Sequence, residues 1–161
     1  APNIMIYALG YQADYVNESS TTLTVSPEIQ SSVIEYFSTR TMVGASVGVS
    51  PSVTLQPLDI TVVVNVQDQF VAQWVKTSVE TAIDNFFLFE NVSFGQVFSL
   101  GALYRTIQNI EGVDFATVTR LRFNGNVAQE VYTTVTANDL SLIRKGTISV
   151  STTGGITGIL V

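Results

Sequence analysis

The sequence predicts an α+β domain in which a mixed sheet is covered by two to three helices, with extra short strands towards the C-terminal end. Three observations carry that prediction. Asp59 to Val66 alternates as a strand, with Ile60, Val62, Val64 and Val66 on one face and Thr61, Val63 and Asn65 on the other. From Asp68 to Phe87, Val71, Trp74, Val75, Val79, Ala82, Ile83 and Phe86 recur at helical spacing, with Asp68 placed as the N-cap. A Gly-broken turn, a second helix and a strand led by Gly112-Val113 then follow in order.

Before this central part, Asn3 to Gln12 is apolar at both alternating positions, the pattern of a strand buried on both sides. Thr21 to Val25 is a second strand candidate. Ser26-Pro27-Glu28 is a helix start: Ser caps, Pro occupies the first helical position, and an acid sits at the positive end of the dipole. Ile29, Val33, Tyr36 and Phe37 form the inner face of that helix, which should stop near Arg40 and help cover the central sheet. Met42 to Val49 reads as a Gly-interrupted strand, Ser50-Pro51 punctuates it, and Val53 to Leu55 resumes it. Pro57 permits a turn or an edge.

Phe86 to Phe98 is aromatic yet broken by Asn91, Ser93, Gly95 and Gln96, so a partly buried loop is expected. Ser99 can cap the next helix, with Leu100, Leu103, Tyr104, Ile107 and Ile110 on one face and Gly112 ending it. Val113 to Phe123 alternates imperfectly, with Arg120 and Arg122 opposite Leu121 and Phe123. Asn124-Gly125-Asn126 is a hairpin-type turn. Val131 to Val135 and Thr147 to Val150 read as short strands, with Arg144-Lys145-Gly146 as a connector between them. The tail Thr152 to Gly158 reads as flexible, ordering only against a neighbour. Three segments result: 1–57 with strands and a helix, 58–123 as the core module, and 124–161 with strands and tail, together one compact unit. The start Ala1-Pro2-Asn3, without Met, reads as a fragment of a longer polypeptide or a trimmed product.

At 161 residues, folding buries roughly 70% of the surface of the unfolded chain, so a core forms without staples. Hydrophobic residues make up 46% and charged residues only 12%, against about 25% charged in ordinary domains. A surface so poor in charge suits burial in an assembly; a β-rich protein with a Thr-rich solvent face is the other reading. Net charge is −6 and the seven Lys and Arg are scattered, which argues against binding a run of phosphates. Cys and His are both absent. Disulfides, thiolate chemistry, His-ligated metals and Ser-His-Asp triads therefore cannot be built from this chain. No apolar run reaches the 18 or so residues of a membrane span, and no basic region opens a secretory signal. The sequons at Asn17 and Asn91 read as chance occurrences.

No catalytic, cofactor-binding or metal-ligating set emerges, and an enzyme is not expected. Asp59 and Asp68 flank one strand, whose rise of about 3.3 Å per residue sets them about 30 Å apart. Glu111 and Asp114 flank the Gly112 turn, but Ca²⁺ needs about 6 to 8 oxygen ligands. Gly154-Gly155-Ile156-Thr157-Gly158 lacks the Lys and following helix of a phosphate loop. Tyr104 and the lone Trp74 both fall on helical core stripes and are expected to pack inside.

Residues 58–123 resemble the C-terminal part of the baseplate J-like wedge proteins of contractile-tailed bacteriophages, a group that includes the large wedge protein of the T-even inner baseplate. The carrying residues are the strand Asp59 to Val66, the helix ending Ala82-Ile83-Asp84-Asn85-Phe86-Phe87, Gly95 to Leu103, and Ile107 to Val113. The Gly turn, short helix and Gly-Val are its strongest element, because glycines at set spacing constrain the backbone. The resemblance implies a structural protein of the virion tail baseplate that homodimerises, helps form a ring around the tail tube, contacts other wedge proteins and changes shape on contraction. The segments before Leu58 and after Phe123 point to the T-even version. A type VI secretion or phage-derived injection apparatus, which shares the module, is the alternative. A small-molecule-binding domain using a pocket around Phe94 to Phe98 is a reading from another class.

Overall fold

In the computed structural model, which describes residues 3–40 and 45–158, the chain runs β1 (Asn3–Ile6), β2 (Thr22–Thr24), α1 (Pro27–Ser38), β3 (Ser46–Val49), β4 (Ser52–Val71), α2 (Ala72–Asn85), β5 (Val97–Ser99), α3 (Leu100–Gln108), β6 (Val113–Phe123), β7 (Thr134–Thr136) and β8 (Ser141–Ile156). The fold is α+β, as the sequence predicts, and its main sheet is mixed. β4 is the spine: β8 lies parallel along one side, while β2 and then β6 lie antiparallel along the other. Two small two-stranded sheets, β1-β3 and β5-β7, stand apart from it.

Leu58, Ile60, Val62, Val64 and Val66 line the core face of β4, all buried. Register places Leu121, Val118, Ala116 and Val113 of β6 beside them on one side and Val150 of β8 on the other. α2 packs over β4 and β8 and α3 over β6, so this face is dry. The opposite face carries Thr61, Val63 and Asn65, flanked by Ser149, Ser151 and Thr153 of β8 and by Thr117 and Phe115 of β6. No helix covers it among the described residues.

Several expectations are corrected. β4 does not stop at Val66; it continues to Val71, which still pairs with Ile156. Asp68 is therefore an exposed strand residue and not a cap. α2 begins at Ala72, and its N-cap position falls to Val71, which offers no side-chain bond. β4 also starts earlier, at Ser52, and runs through Pro57 without a turn. The Pro57 carbonyl accepts from Asn124 N at 2.8 Å, on the side where β2 has ended and β6 has barely begun. The missing N–H of proline thus interrupts no ladder.

β1 is not buried on both sides: Ile4 and Met5 are exposed. Among the described residues the strand pairs only with β3, and none of its residues joins the main core. α1 is capped by Ser26 Oγ, which accepts from Ile29 N, as expected. It packs mainly on β3, none of its residues is buried, and none joins the main core. Ile29 instead joins a satellite cluster of Tyr15, Val25, Val53, Leu55 and Leu142. Of the strand expected over Met42 to Val49, Ser46–Val49 is observed; its start lies outside the described residues.

The imperfect alternation of Val113 to Phe123 has a cause: β6 carries two register shifts against β4, one between Thr61 and Val62 and one between Asn65 and Val66. They leave Thr119 and Asp114 unpaired, and put Arg120 and Arg122 on the open face beside Thr61 and Asp59. Asn124-Gly125 forms a turn, but no hairpin follows: the chain loops round to touch Leu121 through a bridge at Val131, and β7 pairs with β5. Of the two short strands expected after the turn, the first appears in part as β7 (Thr134–Thr136), whereas the second is part of a much longer strand and the tail is not loose. Arg144-Lys145-Gly146 and Thr152 to Ile156 all belong to one 16-residue strand, β8, ordered against β4 of the same chain. No helix among the described residues is long and apolar enough to cross a membrane.

Candidate functional site

The late start of α2 rotates its inner face. Ala72, Val75, Val79 and Ile83 are the residues it buries, and Trp74, expected inside, points away from them at 62% exposure. The ring stands between two hollows. One, of about 270 Å³, lies against Val71, Thr152 and Ile156. The other, of about 230 Å³, lies against Phe70, Val75 and Ile110, with Glu111 at its rim. Ile156 is itself exposed. The turn that closes the second hollow depends on Gly112, whose φ of +94° suits glycine and where a Cβ would stand 2.9 Å from Phe70 Cγ. α3 ends at Gln108, so Gly112 shapes this turn and does not cap the helix. An exposed indole at the junction of a helix start, a strand end and a turn, flanked by apolar side chains, is suited to a protein contact.

The other expected residues are placed differently. Tyr104 packs against the core, as expected, and its hydroxyl oxygen accepts from Val118 N at 2.9 Å. Ser99 caps α3, accepting from Ala102 N at 3.0 Å. Glu111 and Asp114 are both exposed on either side of the turn. Gly154 and Gly155 sit in β8 against Val66 and Phe70, not in a loop before a helix. Phe98, in the segment considered for a small-molecule pocket, is buried and lies edge-on to Phe86 at 5.0 Å and stacked on Phe87 at 6.2 Å. Phe98 thus fills the core, while Phe94 and Val97 of the same segment are exposed. Among the described residues no group of three Asp or Glu comes together as a metal site would require.

Two polar features are not evident from spacing alone. Asp59 is only 7% exposed. Its Oδ1 accepts from Thr147 N at 2.8 Å and its Oδ2 from Asn124 Nδ2 at 3.1 Å, so one carboxylate ties β4 to β8 and to the turn after β6. Gly146 makes the approach possible: a Cβ there would stand 2.8 Å from Leu58 O and closer still to the carboxylate. An acid inside the apolar run Leu58 to Val66 was the available signal. On the open face, Glu130 accepts from Arg120 Nε at 2.8 Å and pairs with Arg122 Nη1 at 3.0 Å, while Arg122 Nε is buried and has no hydrogen-bond partner among the described residues.

The hydrogen bond from Arg120, followed by partial desolvation acting the other way and by the charges of Arg120 and Arg122, leaves the Glu130 carboxyl below its ordinary range. A lowered folded value means that this contribution is present above the ordinary carboxylate range. It is lost as pH falls through the lowered value. Titrating Glu130 by NMR should therefore give a midpoint below that of a free Glu, and Arg120→Gln should move it up. An unshifted wild-type midpoint would show that the cluster does not hold in solution.

No protein-family model matches this chain, and no curated protein sequence is significantly similar to it.

Proposed function

We propose that this chain is a structural module of a contractile-tail baseplate wedge, not an enzyme. In this reading it assembles with further copies of itself and with neighbouring wedge proteins in the virion baseplate, put together in the host cytoplasm, and shifts when the tail contracts. The resemblance of residues 58–123 motivates the reading. The observation that carries it is Trp74, 62% exposed between two hollows, on a protein with only 12% charged residues. A large indole left outside the core is the kind of anchor that protein interfaces bury.

Trp74 is the only tryptophan in the chain, so its emission reports this surface alone. Light scattering across a concentration series should show a dimer or larger species, and tryptophan emission should move to shorter wavelength as neighbouring wedge proteins or further copies cover the ring. A chain that stays monomeric, binds no apolar-surface dye and keeps an unshifted emission would sink the reading.

A further inference from the structure

We propose that the outer edge of β8, from Thr147 to Thr153, pairs antiparallel with the same edge of a second copy about a two-fold axis at Ser151, joining two sheets into one. The inference deepens the assembly reading above, on which it rests for a second copy being present to meet.

The two edges of the main sheet are treated differently. On the β6 side, Leu121 N donates to Glu130 O at 2.9 Å and Tyr132 N donates to Leu121 O at 3.1 Å. Val118 N donates to the Tyr104 hydroxyl, and Asp114, Arg120 and Arg122 add charge. These are the devices that stop a strand from pairing further. The first part of β8 is covered too: Tyr15 Oη donates to Ile143 O at 2.8 Å, and Arg144 Nε and Nη2 donate to Ser20 O and Ser19 O.

From Thr147 onwards the covering stops. β8 pairs there with β4 on one side, and no described residue pairs with its other side. The stretch Thr147-Ile-Ser-Val-Ser-Thr-Thr153 contains no charged residue and no proline. It is regular until Gly154 and Gly155, both at positive φ, end the simple pleat. A strand edge with free backbone groups and no gatekeeper is a template for another strand.

The second copy is favoured as occupant for two reasons. With the β6 edge closed, pairing cannot propagate from copy to copy into a filament; only an isologous β8-to-β8 contact remains, and it closes at a dimer. Charge also permits it. Each copy carries −6 overall, yet this edge brings no like charges together: about Ser151, Ser149 faces Thr153 of the second copy and Val150 faces its Thr152. Lys145, the nearest cation along the strand, is already paired with Asp84 Oδ1 at 2.8 Å.

The test places like charges across the axis. Ser149 and Ser151 are both exposed, so the double variants Ser149→Lys/Ser151→Lys and Ser149→Asp/Ser151→Asp should fold, which circular dichroism checks. Measured by sedimentation, each double variant alone should dissociate at least about tenfold more readily than wild type, because like charges are juxtaposed in any nearby register. An equimolar mixture should recover the dimer, showing that both variants are folded, and Ser151→Thr should pair as wild type does. A Lys variant that dimerises like wild type overturns the edge pairing and leaves the Trp74 reading standing. A wild-type chain that stays monomeric throughout also overturns the edge pairing, while a Trp74 emission shift on adding a neighbouring wedge protein would still support the wider reading.

Discussion

Phe87→Ala is expected to cost about 3–5 kcal/mol of stability, the usual range for a buried aromatic cut back to a methyl. Phe87 lies in the turn just after α2, is fully buried, and stacks on Phe98 with an interplanar angle of 11°. Around it, Ile83, Leu103 and Ile107 are also fully buried. Truncation therefore opens a cavity whose walls belong to two helices and the β5 strand and cannot all relax inward. Domains of this kind are stable by only about 5–15 kcal/mol, so a large share would go. Urea unfolding should show a lower midpoint with little change in slope. Phe94→Ala is the control: Phe94 is 37% exposed and should cost well under half as much. Equal losses at the two positions would mean that the segment from Phe86 to Phe98 is not layered as described.

Asp59→Ala should be the next most damaging change, at about 2–3 kcal/mol. The cost comes from what is lost: the Thr147 N–H and the Asn124 amide both give up a bond to a charged acceptor, and hydrogen bonds to charged groups are worth about 1.5–3 kcal/mol. Asp59→Asn retains an oxygen for one donor only, so it should fall between wild type and alanine. Hydrogen exchange separates this mechanism from simple loss of packing. The Thr147 amide should exchange faster in Asp59→Ala than amides near Val150, which stay in the β4-β8 ladder. Uniform acceleration along β8 would argue that the carboxylate acts through global stability alone.

Both predictions concern residues that the sequence marks unequally. Phe87 lies at the end of a helical stripe and in an aromatic run, so its place near a core is legible from spacing. Asp59 reads in the sequence as the head of a strand, like many solvated acids, and only its apolar neighbours hint at burial. Its role requires Gly146 and Asn124, which are remote in sequence, to arrive beside it. The strand Asp59 to Val66, the helix capped by Ser26, the helix capped by Ser99 and the strand from Val113 were all readable, because alternation, capping chemistry and helical spacing are local. The α+β class follows from those elements.

Where strands end and what they pair with was not readable in the same way. β4 reaches Val71 because Ile156 lies opposite, and that pairing delays the helix, takes the capping role from Asp68 and turns Trp74 outward. β8 is one strand of 16 residues because β4 offers a continuous ladder; its own glycines and charges argue for interruption. Sequence alone therefore determined the kinds of element, the apolar faces, and the lack of His and Cys that confines its chemistry. The tertiary structure decided the element boundaries, the exposed tryptophan, the buried carboxylate and the open strand edge. The physical reason is that side-chain periodicity is set by neighbours along the chain, whereas backbone hydrogen bonds in a sheet are satisfied by segments far away in it.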